Sequence, residues 1–348
     1  MTRSDTRTAG RDVPRGAIAA GIGIAVVAVV AGVLGGPVAL PIGGTLLELV
    51  DLVPFVDLES GLTDTQATIL LELRLPRVVL GLAVGGMLGL AGGSYQGVFR
   101  NPLADPYLLG IAAGAGLGAT LGFVAGGSAT LVPLAAFIGA IVAVTASAAI
   151  AGSIRGGSRG PTLILAGVAM ASFLTAIQTW LLQQNAETLR QVYAWILGRL
   201  TTVGWGEVVL LVPYAALAAV VLLPHGRLLD VLGFGDDEAR SLGVDVTRVR
   251  WVVLAAASLA TAAAVAVSGL IGFVGIVVPH LVRLLVGSSY RAILPLSLLG
   301  GGAFLVAADL LARTVTAPSE VPIGVITAFV GAPFFLLVLY RQGTDGAW

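Results

Sequence analysis

Apolar runs long enough to cross a bilayer recur along almost the whole 348-residue chain, separated by short polar stretches. A spanning helix needs about 20 mostly apolar residues. Read with a window of about 19 residues, the pattern predicts spans at 16–36, 76–97, 107–126, 129–151 and 162–183. The second half predicts spans at 206–224, 249–268, 270–286, 292–312 and 322–340. The chain therefore reads as all-α, a ten-helix transmembrane domain over 16–340 between tails at 1–15 and 341–348. The eighth span is short and is broken by Gly275 and Pro279. Segment 41–72 carries six acids (Glu48, Asp51, Asp57, Glu59, Asp64 and Glu72) and reads as a short amphipathic helix and a polar linker over the outer face.

Composition agrees. Hydrophobic residues make up 57% and charged residues 11%, against about 45–50% and about 25% in soluble domains, and the mean hydropathy is +0.98. A water-soluble globule cannot hide that much apolar surface, and disorder needs the opposite composition. An even number of spans puts both ends on one side. Fourteen of the 19 arginines lie on that side, and five (Arg74, Arg77, Arg190, Arg199 and Arg313) lie on the other. Cytoplasmic loops collect the basic residues, so both termini are cytoplasmic and the protein is multi-pass in the cell membrane. The first span is read as a membrane helix and not a signal peptide, because its apolar run exceeds the usual 7–15 residues.

Absences narrow the chemistry further. There is no cysteine, and His225 and His280 are the only histidines. Disulfides, iron–sulfur clusters, thiolate zinc and three-histidine metal sites are excluded. Net charge is zero, so nothing points to nucleic acid. Every basic residue is arginine, and a Walker motif needs its lysine. The chain cannot itself be a P-loop ATPase, and no catalytic or metal-ligating residue is assigned.

Glycine is ordered. Gly81, Gly85, Gly89, Gly93 and Gly97 recur every fourth residue in the second span, and Gly110, Gly114, Gly118 and Gly122 do so in the third. Small residues let membrane helices approach closely, so the second span reads as a central helix surrounded by others.

Several segments resemble one family, the permease subunits of ABC importers for ferric siderophores, haem and cobalamin. They are RLPR from Arg74, FRNPLADPYLLG from Phe99, LILAGVA from Leu163, GDDEARSLGV from Gly235, IGFVGIVVPHLVR from Ile271, EVPIG from Glu320 and GAPFF from Gly331. The resemblance implies a ten-helix subunit paired with a second copy or a close relative. It also implies two cytoplasmic ATPases, which would hold the ATP and magnesium, and an external substrate-binding protein. No cofactor is expected on this chain.

Within the longest cytoplasmic loop, 225–248, Asp236 can cap a short helix, and Asp237 and Glu238 suit its positive first turn. Ala239, Arg240, Ser241 and Leu242 continue the helix, and Gly243 can close it in the left-handed conformation. The resemblance implies that this projection docks in the ATPase. Outside, Arg74, Arg77 and Arg313 could fork onto carboxylates, and the resemblance implies that these acids belong to the binding protein. The alternative is that they anchor helix ends at the headgroups. Ser158 and Thr162 fall where the family narrows its pathway. Ser172, Thr175 and Gln178 in the fifth span and Thr327 and Phe329 in the tenth could line a neutral passage. Asp309 lies within the ninth span and His280 follows Pro279, where a helix-break hydrogen bond is expected of it.

An ion-coupled secondary transporter would need ionisable groups near the midplane. Asp309, Arg283, Glu207 and His280 lie mostly toward the membrane edges. An intramembrane protease would need a serine–histidine pair, and His280 has no partner by motif. The stretch TLRQVYAWILGRLTTVGW, Thr188 to Trp205, looks more like cobalamin permeases than siderophore permeases.

Overall fold

The computed structural model describes residues 15–52, 58–153, 159–200 and 204–344. Helix α1 (Arg15–Leu34) crosses first. It is followed by α2 (Ile42–Asp51), whose apolar Ile42, Leu46, Leu47 and Val50 are exposed while Thr45 is buried. Next, α3 (Asp64–Thr68), a π-helical turn (Ile69–Arg74) and α4 (Leu75–Phe99) run on as one 36-residue helix. The end of segment 41–72 is thus not a linker. A capping box starts the helix there: Gln66 N donates to Thr63 Oγ1, and Thr63 N donates to Gln66 Oε1, which satisfies two orphan amides.

Helices α5 (Ile111–Val124), α6 (Leu131–Ser153) and α7 (Arg159–Gln184) complete the first half. The short α8 (Leu189–Ile196) leads to α9 (Gly206–Leu222), α10 (Gly226–Leu232) and α11 (Asp236–Ser241). The chain ends through α12 (Val246–Ser268), α13 (Val274–Val286), α14 (Tyr290–Thr314) and α15 (Ile323–Thr344). Among the described residues six helices are long and apolar enough to span, and α9 meets the same test only when joined to α10, which bends away from it by 49°. The shorter apolar helices Ile111–Val124, Val274–Val286 and Ile323–Val338 fill the remaining positions of the ten-span pattern.

Helix α4 is the hub, packed on α14, α12, α13 and α9. Its glycine stripe faces α14: a β-carbon at Gly85 would lie 2.2 Å from the Gly301 carbonyl oxygen, and one at Gly89 would lie 2.3 Å from that of Ser297. Gly92, outside the stripe, meets α13 even more closely, 2.0 Å from the Gly275 oxygen. In α5, Gly114 and Gly118 are pressed the same way against Gly139 and Ala135 of α6. Lipid supplies no hydrophobic drive between helices, so this backbone proximity and its dispersion contacts hold the bundle.

Two spans start later than the hydropathy pattern suggests. The third opens with a 3₁₀ turn (Pro106–Leu109), capped by Asp105 accepting from Tyr107 N at 2.7 Å, before α5 begins. The eighth begins only at Val274, after Phe273 in the left-handed region with φ 69°. Pro279 removes the amide that would bond to the Gly275 carbonyl. Gln96 Nε2 of α4 donates to that oxygen instead, at 3.3 Å.

Candidate functional site

The cytoplasmic projection is α10 and α11. Gly226 seats α10 against the Tyr290 carbonyl. From α10, the Asp230 carboxylate accepts from Ser289 Oγ at 2.7 Å and from Tyr290 N at 2.5 Å, which fastens it to the start of α14. This contact joins residues about 60 positions apart and has no local signature in sequence.

Helix α11 is a Schellman-closed turn: Gly243, at φ 80°, donates to the Arg240 carbonyl, and Val244 N donates to the Ala239 carbonyl. Asp236 differs from the sequence expectation. Gly235 holds the N-cap position, and no side chain caps it. The Asp236 carboxylate instead accepts a forked pair from Arg250, Nη1 at 2.8 Å and Nη2 at 2.7 Å, with Arg100 Nη2 at 3.3 Å. Burial works to raise the Asp236 pKa, but the Arg250 hydrogen bonds and the charges of Arg250, Arg100 and Arg240 outweigh it and hold the carboxyl below the usual range. Ala239 is fully buried, whereas Asp237, Glu238, Arg240, Ser241 and Leu242 face outward. Phe234 and Leu242, 65% and 67% exposed, give the projection an apolar tip.

At the opposite face the arginines turn inward. Arg74 is 4% exposed. Its guanidinium donates to the Val33 and Leu34 carbonyls at 3.2 Å each and also to that of Val38, so it caps the end of α1. Arg313 is 2% exposed, donates to the Gly32 carbonyl and lies 3.2 Å from Asp309 Oδ2. As the structure holds them, Arg74 and Arg313 are not free to fork onto a partner; they anchor helix ends. Arg77 lies nearer the surface and bridges Asp309 at 2.8 Å and Glu320 at 2.9 Å. Asp309 is thereby a structural acid between two arginines.

The pathway candidates divide. Ser172 and Thr175 are exposed on α7, on one face with Ala169, Ala176 and Thr179, and Phe329 is exposed on α15. Gln178 is buried, with Nε2 donating to Thr120 Oγ1 of α5 at 3.1 Å, and Thr327 is buried, donating to the Gly324 carbonyl at 3.1 Å. Gln178 ties α7 to α5, whereas the Thr327 bond closes a turn within α15, and neither buried side chain faces a passage. Thr162 is half-buried in the first turns of α7, and Ser158 lies outside the described residues. His280 is buried against the edge of the Phe334 ring, and neither ring nitrogen has a hydrogen-bond partner among the described residues. The expected helix-break bond is made by Gln96.

A glycine-packed helical bundle with a capped cytoplasmic projection, and with no nucleotide-binding loop of its own, defines the membrane-spanning permease class of transporter. The chain matches the FecCD transport family over residues 20–341, and it belongs to that family. It is 40% identical over 317 residues to the cobalamin import system permease BtuC of Halobacterium salinarum, covering 86% of this chain and 85% of that protein. It is 38% identical over 288 residues to the hemin transport system permease HmuU of Yersinia pestis, covering 80% and 85%. Among solved structures, a metal-chelate type ABC transporter in an inward-facing conformation superposes with a TM-score of 0.82 at 28% identity, covering 94% of this chain and all of that one. The protein is a multi-pass permease of an ABC importer, not an enzyme in itself.

Proposed function

We propose that the chain forms, with a second copy of itself, the membrane channel of an importer for cobalamin. An external binding protein delivers the substrate, and two ATPases docked on α10 and α11 drive it. The α11 tip carries the coupling reading: it is closed by Gly243, pinned through Asp236 and exposes Phe234 and Leu242 to a partner. The neutral face of α7 supports passage of a bulky ligand. No charged residue occurs from Gly160 to Gln184 or from Ile323 to Tyr340, and small side chains leave room between copies.

For cobalamin, support comes from the α8 segment with its Leu189–Arg190–Gln191 run and from the cobalamin permease at 40% identity. The outer docking surface centres on Arg77 and Glu320, the outward-facing part of the ion cluster. Uptake of labelled cyanocobalamin, haemin and ferric citrate is measured in cells carrying or lacking the chain. Loss of cobalamin uptake alone is expected on deletion. Loss of only haemin or ferric uptake overturns the substrate and leaves the importer class standing.

A further inference from the structure

The inner end of α4 is closed by a residue in a backbone conformation that its type disfavours. Arg100 has φ 51° and ψ 36°, left-handed geometry that glycine adopts freely and β-carbon residues resist. Among the described residues only Arg100 and Phe273 are non-glycine positions with positive φ. A backbone outlier of this kind invites a functional explanation, and the side chain offers one. Its guanidinium lies 3.3 Å from Asp236 Oδ1, on the carboxylate already held by Arg250.

The two arginines do different things. Arg250 is in the first turns of α12, nine residues beyond the end of α11, so its fork holds α11 to the helix that follows it directly. Arg100 comes from a distant part of the chain and joins α11 to α4. Helix α4 is buried along most of its length and packs on α12, α13 and α14. Its outer end carries Arg77, paired with Asp309 of α14 and with Glu320. One packed helix thus has an ion cluster at each end, the inner one on the ATPase-facing projection.

We propose that Arg100 is a positioning residue for energy coupling: it locks α11 to α4 through Asp236, so that displacement of α11 is passed along α4 to the outer face. This rests on the reading that ATPases drive the chain through α11, and it goes beyond that reading by naming the joint. A half-exposed ion pair adds little to folding stability, so removing it should disturb transmission while leaving the bundle intact.

Arg100→Gly suits the left-handed backbone and deletes the whole side chain with its guanidinium, and Arg100→Lys restores an aliphatic stem and a cation. The chain has no cysteine, so Val315→Cys, exposed just past α14, can carry an environment-sensitive dye. The full permease is reconstituted with its cognate ATPase in lipid nanodiscs, and the dye is read before and after ATP with vanadate. The parent should respond. Arg100→Gly should cut the response at least five-fold, with the ATPase still bound and the thermal midpoint unchanged or higher, and Arg100→Lys should recover at least half of it. A full response in Arg100→Gly, no recovery in Arg100→Lys, or loss of the bound ATPase in Arg100→Gly would overturn the lock. No response in the parent would instead overturn the ATPase-driven reading.

Discussion

Gln96 shows what one side chain can do inside a membrane. Pro279 leaves the Gly275 carbonyl without its helical donor, Gly275 is buried, and the buried Gln96 amide on a different helix donates to that carbonyl and to the one of Ile276. Its Oε1 also accepts from Arg283 at 3.4 Å. Gln96→Leu should therefore destabilise the fold by about 1–3 kcal/mol, the cost of an orphaned buried polar group. The midpoint of thermal aggregation in detergent reads this, and an unchanged midpoint would mean that the carbonyl finds another donor. His280 is the opposite case. Its ring nitrogens are buried and unpartnered, so His280→Leu should leave the midpoint unchanged or raise it, since exchanging an unpaired polar group for an apolar one removes a desolvation cost.

At the scale of elements, glycine decides how close the helices come. At Gly92 a β-carbon would collide with the carbonyl and backbone of Gly275, while at Gly23 in α1 nothing lies within 4 Å. Gly92→Ala should force α4 and α13 apart and cost about 1–3 kcal/mol or more. Gly23→Ala should be neutral or slightly stabilising through helix propensity. Yields of folded protein by size exclusion separate the two, and equal yields would contradict the packing argument. The stripe itself was legible from its four-residue spacing. That Gly92, one step off it, makes the tightest approach was not, because that depends on where α13 begins.

For the whole molecule, the two ends differ in how they use charge. Outside, arginines cap α1 and bridge α4 to α14; inside, Asp236 gathers Arg100 and Arg250 onto the projection. Because the Asp236 pKa is lowered on folding, the anchoring is fully present above the ordinary carboxylate value of about 3.9. It is lost only as pH falls through the depressed value. The nucleotide response of the outer face should accordingly be flat between about pH 8 and about pH 5, the range where such a carboxylate stays ionised. Asp236→Asn should weaken that response at every pH in this range. A parent response that already fades near pH 6 would show that another group controls it.

Hydropathy and glycine spacing are local properties, so the sequence by itself determined the membrane class, the all-helical fold and the closed turn at Gly243. The motifs from Arg74 to Phe335 were sufficient for the family. The roles of single polar residues were decided only in three dimensions. Arg74, Arg313 and Gln178 have side chains suited to docking or to a passage, yet each is turned inward onto a neighbour whose position in the sequence gives no hint of the contact. In a bilayer a buried donor gains most by finding a partner inside the protein. Which partner it finds depends on how the helices cross, and that is a property of the packed bundle.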